Sequence, residues 1–196
     1  GYQRGFGGHF HNDNSITALR DIPGIVVGCP SRGDDAATML RTLAALARVD
    51  GRVAVFLEPI ALYMTKDLHE TGDGQWLFPY PEQGQAMVLG EGRVYEPDAD
   101  DLVVFTYGNG VPMSLRAARR IEQAHGWKVR VVDLRWLVPL NEAFIVEQAS
   151  TAKRILVVDE GRRSAGVGEG VITAIAEGGY RSRPFRRVVG ADTYTP

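Results

Sequence analysis

The chain has 196 residues, is 44% hydrophobic, 23% charged and 9% aromatic, and carries a formal net charge of -2. That length suits one large α/β domain or two small ones and can bury a real core, while the near-neutral balance leaves no basic footprint for nucleic acid. No apolar run is long enough to span a bilayer and no signal-peptide pattern opens the chain. The single cysteine, Cys29, excludes an internal disulfide framework and fits a reducing, cytoplasmic compartment.

The chain opens at Gly1 on a glycine-rich loop with no strand before it and stops at Thr195-Pro196, just after a strand. Both ends are read as cuts through a longer protein. Ile25-Val26-Val27-Gly28-Cys29 is a short β-branched run, hence a buried strand ended by Pro30. Ser31 or Asp34 is expected to cap a helix over 34–48, in which Ala36, Met39, Leu40, Leu43, Leu46 and Ala47 recur at helical spacing. Val53-Ala54-Val55-Phe56-Leu57 is the next strand. Gly72, Gly74, Pro79 and Pro81 then break any regular element, so the domain boundary is placed at Pro81, dividing the chain into 1–80 and 81–196.

The second half alternates regularly: strands over 102–107, 129–134, 155–159 and 187–189, and helices over 111–125, 141–152 (capped by Asn141) and 166–177. Continuous apolar strands separated by helices predict an α/β fold of mostly parallel sheets with helices on both faces. Ligands in such folds sit outside the carboxyl ends of the strands.

Four segments there could carry chemistry. Gly5-Phe6-Gly7-Gly8-His9-Phe10-His11-Asn12-Asp13-Asn14-Ser15 gathers two imidazoles, a carboxylate and two amides in a glycine-rich loop that lets backbone approach a ligand. His9, His11 and Asp13 lack the spacing of a metal site, and no metal is assigned to this chain. Glu160-Gly161-Arg162-Arg163-Ser164-Ala165-Gly166-Val167-Gly168-Glu169-Gly170 follows a strand and opens a helix, where backbone N–H groups attract anions and Arg162 and Arg163 add positive charge; it half-resembles a dinucleotide fingerprint, but its spacing is GxGxG, and close helix packing is the better reading. Asp133 and Arg135 stand at a strand end, as a structural ion pair or a functional one. Gly72-Asp73-Gly74 would suit a magnesium–diphosphate site if an Asn followed; none does, and it is read as a surface turn.

Read together, these segments resemble a known family. Gly5-x-Gly7-x-x-Phe10-His11, Ile22-Pro23-Gly24-Ile25-x-Val27, Pro30-Ser31 and Phe56-Leu57-Glu58-Pro59-x-x-Leu62-Tyr63 resemble the later part of the pyrimidine-binding domain in β-subunits of thiamin-diphosphate-dependent pyruvate and branched-chain 2-oxo acid dehydrogenases. Thr106-Tyr107-Gly108, Val132-Asp133-Leu134-Arg135-x-Leu137-x-Pro139, Val158-x-Glu160 and Gly190-x-Asp192-Thr193 resemble the transketolase-type C-terminal domain of the same subunits. The resemblance implies a partial thiamin-binding domain followed by a transketolase C-terminal-like domain. It also implies oxidative decarboxylation of a 2-oxo acid with acyl transfer to a lipoyl group. His11 would be the catalytic imidazole, His9 a weaker candidate, and Phe10 a cofactor contact. Thiamin diphosphate and magnesium would serve the complete enzyme, with the activating glutamate and the diphosphate site lying outside this chain, so that the isolated chain is inactive. The implied partners are an α-subunit or N-terminal region carrying the diphosphate site, a lipoyl acyltransferase component, and further copies of the chain. Asn12-Asp13-Asn14-Ser15-Ile16 departs from the family's usual Ser-Gln-Ser-Pro-Glu after the histidine, so acceptor or substrate handling is expected to differ. The alternatives are ketol transfer of the transketolase or deoxyxylulose-phosphate-synthase kind, a non-catalytic assembly module, and a nucleotide-binding oxidoreductase domain.

Overall fold

The computed structural model describes residues 15–193. His9, Phe10 and His11 lie outside the described residues. The elements are α1 (Ile16–Arg20), β1 (Val26–Gly28), α2 (Gly33–Val49), β2 (Ala54–Phe56), a short 3-10 turn (Ile60–Leu62), β3 (Arg93–Tyr95), β4 (Leu102–Thr106), α3 (Gly110–His125), β5 (Val129–Asp133), β6 (Trp136–Val138), α4 (Glu142–Ser150), β7 (Ile155–Arg162), α5 (Val167–Ile175) and β8 (Phe185–Gly190).

Two sheets result. The larger has the order β3-β5-β4-β7-β8 and the smaller β2-β1-β6. β4, β5, β7 and β8 pair in parallel, as do β1 and β2. The expected mostly parallel α/β architecture is what the structure shows, with two additions at sheet edges. β3 lies antiparallel to β5, and β6 lies antiparallel to β1. Each has only three residues, too few for an alternation to be legible. β6 is also created by a reversal: Arg135 takes φ 58 and the Trp136 N–H reaches the Leu134 carbonyl at 2.6 Å, a tight turn that sends the chain out of the larger sheet.

Helices cover both faces of the larger sheet. Val167, Val171 and Ile175 of α5 and Ile145 and Ala149 of α4 pack on Val103, Phe105, Val132, Ile155 and Val157. Leu115, Ala118 and Ile121 of α3 cover Val104, Val129 and Val131 on the opposite face. Val27 and Cys29 belong to the same core as Phe105 and Val132, so hydrophobic contact runs across Pro81. Met39 and Leu43 of α2 close the other side of the small sheet against Val26 and Trp136, while Leu40 is turned to solvent. Each such large side chain contributes ~1.5–3 kcal/mol on burial.

The helix ends differ in how far local sequence governs them. Asn141 caps α4 as expected, accepting the Phe144 N–H at 3.0 Å. Gly126 ends α3 in the left-handed region, φ 69, donating to the Glu122 carbonyl at 2.8 Å. At α2 the expected caps are engaged elsewhere: the N-cap position is Arg32, Asp34 holds the Arg32 guanidinium, and the Ser31 hydroxyl donates to Asp133. Asp34 is taken by a neighbour two positions away and Ser31 by a tertiary partner.

Candidate functional site

The carboxyl ends of strands from both sheets converge on one cavity of about 410 Å³. Cys29 reaches it from β1, Leu57, Glu58 and Pro59 from β2, Tyr107 from β4 and Glu160 from β7. Ser15, Ile16 and Leu19 close it from α1. A second cavity of about 430 Å³ opens beside the start of α2, where Phe56, Tyr63, Trp76 and Phe78 form aromatic walls and the Arg32 guanidinium lies 3.6 Å from the centre of the Phe78 ring. Glu58 and Pro59 line both cavities and form the partition between them.

Two neighbouring carboxylates on β7, Glu160 lining the first cavity and Asp159 buried behind it, have opposite fates. Asp159 is fully engaged: the Tyr107 hydroxyl donates to it at 2.6 Å, and the backbone N–H groups of Gly161 and Gly168 at 2.7 Å each. Glu160 receives the Asn109 side-chain amide on Oε1 at 2.8 Å. Burial raises its pKa above that of an ordinary glutamate, against the pull of the Asn109 bond. Burial likewise raises the Cys29 thiol well above its usual range, reinforced by the charges of Asp133 and Glu160, so Cys29 is a protonated, inert wall.

The Gly166–Gly170 run is explained here. A side chain at Gly168 would stand 3.1 Å from Val157 and 3.2 Å from Asp159, so glycine lets α5 settle onto β7. Arg20 of α1 donates to the carbonyls of Ala165 and Gly166, tying the loop down. The segment is a packing device, not a phosphate cradle.

Behind the cavities lies a buried ionic joint. Arg135 does not pair with Asp133 through its side chain. Its guanidinium grips Asp35 of α2 at 2.7 and 3.1 Å, and Arg93 of β3 reaches the same carboxylate at 2.9 Å. Asp133 accepts the Ser31 hydroxyl and the Arg135 N–H. Burial lifts Asp133 to about 6, opposed by the Ser31 bond and the Arg135 charge. No local signal could have found this network, because Asp35 and Arg135 are 100 positions apart.

The remaining motif is a turn. Asp73 of the Gly72-Asp73-Gly74 run accepts the backbone N–H groups of Leu68, His69, Glu70 and Gln75, which leaves it no role as a ligand. Among the described residues no cluster of histidine, cysteine, aspartate and glutamate could hold a metal ion. What the described residues offer is a concave, largely apolar wall with one half-buried carboxyl, Glu160, to which Asn109 is the described donor.

The model of the transketolase C-terminal domain matches residues 90–196, just over half of the chain. The chain belongs to the transketolase C-terminal domain family. Among curated proteins, it is 34% identical over 188 residues to the 3-methyl-2-oxobutanoate dehydrogenase subunit beta of Mycobacterium tuberculosis, covering 95% of this chain and 49% of that protein. It is 32% identical over 188 residues to the pyruvate dehydrogenase E1 component subunit beta of Staphylococcus aureus, covering 95% and 53%. The chain thus spans about half the length of the curated relatives it matches. A solved split-gene transketolase, described as an inactive beta4 tetramer, superposes with a TM-score of 0.72 at 20% identity, over 94% of this chain and 55% of that one, which establishes the shared fold. Family membership accounts for the α3–β5–α4–β7–α5 succession, and the match to the relatives extends upstream of it through β1, α2 and β2.

Proposed function

We propose that this chain is part of the β-type half of a thiamin-diphosphate-dependent 2-oxo acid dehydrogenase component, and that the cavity at its strand ends is one wall of that enzyme's active-site cleft. The observation that carries the reading is the 188-residue match to two subunits named for such enzymes, running through the cavity-lining segments of both sheets. The diphosphate and magnesium are proposed to be held by other polypeptide, an α-subunit or an N-terminal region. When bound, the cofactor supplies the electron sink for loss of carbon dioxide from the oxo acid. The chain's own residues bind and orient the substrate, exclude water and manage protons.

His11 is proposed as the catalytic imidazole, with His9 and Phe10 as secondary contacts. Ser15, at the start of the described chain, lines the cavity, and His11 precedes it by four positions, a reach of at most ~14 Å even for a fully extended chain. A histidine within that reach can serve as acid or base near neutral pH. A lipoyl acyltransferase component is the proposed acyl acceptor and further copies of the chain the proposed oligomeric partners, in the cytoplasm. No helix among the described residues is long and apolar enough to cross a membrane.

The test is reconstitution. The chain, within the complete protein or together with the polypeptide supplying the diphosphate site, is assayed for carbon dioxide release from pyruvate and branched 2-oxo acids and, separately, for transfer of a two-carbon ketol unit from ketose phosphates to an aldose acceptor. Decarboxylation of a 2-oxo acid that requires thiamin diphosphate supports the reading, and His11→Ala should reduce it by ~10²–10⁴ in kcat/KM. Turnover of ketose phosphates alone would replace the reading with ketol transfer.

A further inference from the structure

We propose that a third cavity, of about 250 Å³, beside the buried ionic joint is a binding site for a phosphate group, held by Arg135 and Arg93. The proposal stands apart from the 2-oxo acid reading and concerns a different part of the molecule.

The cavity is enclosed by α2, the segment from Pro81 to Glu91, β3 and the turn that follows β5, and Asp35, Gln85, Glu91, Arg93 and Arg135 bring polar groups to it. Its walls are fixed by bonds within the chain. Arg41 of α2 donates to the carbonyls of Glu82 and Gln85 at 2.7 Å each. The Thr42 hydroxyl donates to the Met87 carbonyl, and the Met87 N–H to the Thr38 carbonyl. A site ordered in this way does not charge its ligand the entropy of assembling it.

Arg135 carries the argument. Its side chain is 3% exposed. Nε and Nη2 donate to Asp35, but Nη1 has no hydrogen-bond acceptor among the described residues. The carboxylate nearest to it is Glu91, at 3.9 Å, which is an ion pair beyond hydrogen-bond reach. A buried guanidinium ordinarily has its donors met, and leaving one unmet costs free energy. Arg93 repeats the pattern: Nε and Nη2 are given to the same Asp35. Two guanidiniums on the wall of one cavity thus share a single carboxylate. A phosphate group presents several acceptor oxygens and can take hydrogen bonds from both at once, in the charge-assisted geometry that guanidinium favours.

The other charges leave room for it. Asp34, also on the wall, is held at both oxygens by Arg32. Asp133 accepts the Ser31 hydroxyl and the Arg135 backbone, not its guanidinium. Glu91 is the competitor. Its side chain is 54% exposed, so it can turn into solvent, and the two arginines then exceed Asp35 by one positive charge. The cavity is larger than a bare phosphate needs, which suits a phosphate monoester with a small organic tail.

The experiment is calorimetric titration of the complete protein with inorganic phosphate and, separately, with glycerol 3-phosphate, in chloride at constant ionic strength. Saturable binding is expected in both arms, and the tighter arm tells a free phosphate ion from a monoester. Glu91→Gln removes the competing carboxylate and should tighten binding by about fivefold. Arg93→Gln removes one charged donor while the Arg135–Asp35 pair stays in place, and should weaken binding by about tenfold or more. Urea denaturation confirms that both variants are folded. Arg154→Gln, which removes an arginine stacked on Trp127 away from this cavity, should leave binding unchanged. The proposal is overturned if neither the unaltered protein nor Glu91→Gln binds phosphate saturably in either arm. It is equally overturned if Arg93→Gln binds as well as the unaltered protein, or if Arg154→Gln weakens binding as much as Arg93→Gln does.

Discussion

Asp133 and Glu160 occupy comparable places in two regions of one molecule. Each stands near the carboxyl end of a strand in the larger sheet, and burial pushes the pKa of each upward. They differ in how completely their oxygens are bonded. Asp133 accepts on both, from Ser31 and from the Arg135 backbone, inside a joint sealed by Asp35, Arg135 and Arg93. Among the described residues Glu160 has one donor, Asn109, and it lines a cavity. A perturbed carboxyl whose partners are all protein belongs to the architecture. One with an unmet oxygen facing open space is available to a ligand.

The largest break in this comparison is expected from Arg135→Met. It leaves Asp35 buried with only the partly exposed Arg93 as counter-charge, and removal of one partner of a buried pair costs ~3–5 kcal/mol. Urea denaturation of the variant would measure it, and a loss below ~1 kcal/mol would show the joint to be dispensable.

Next comes the pH response of the joint. Asp133 titrates at about 6 when folded against 3.8 for the free side chain, so the folded state binds its proton more tightly. The stability this provides is complete below about pH 4, is lost as pH rises towards about 6, and is absent above, a span of ~3 kcal/mol. Asp133→Asn should flatten that part of the stability–pH curve. Denaturation midpoints across the interval would read it, and an unchanged slope would remove Asp133 as its source.

Ser31→Ala is a smaller perturbation. It takes one donor from a buried carboxylate at a cost of ~1–3 kcal/mol, and it raises the Asp133 pKa further because the lost bond favoured the ionised form. Carboxyl titration followed by NMR would show the shift. Asn141→Ala, at an exposed cap remote from both regions, should cost only ~1 kcal/mol in thermal denaturation and leave the pH curve unaltered.

What the sequence made legible follows the same division between local and distant causes. β4, β5 and β7 were readable from their apolar runs, because those signals sit within one segment, and the helix over 111–125 was placed between two of them. β3 and β6 were not readable: three residues carry no alternation, and both are held by strands remote in sequence. Ser31 looked like a helix cap because its tertiary partner, Asp133, lies 102 positions away. Asp133 and Arg135 were rightly singled out, yet the guanidinium's partner came from α2, which no spacing announced. Tyr107, Cys29 and Glu160 were visible only as strand-end residues. Their meeting around one cavity is a property of the packing of two sheets, while His9, Phe10 and His11 lie outside the described residues.

The strand that Trp136, Leu137 and Val138 donate to the small sheet has a practical corollary for anyone dissecting this polypeptide. A nick in the loop around Pro81 cuts no hydrogen bond between β1 and β6 and leaves the shared core of Val27, Phe105 and Leu137 intact. The two pieces should then co-purify as a non-covalent pair, whereas the upstream piece made alone would present one bare strand edge and half a hydrophobic interior to its neighbours, and would be prone to precipitate.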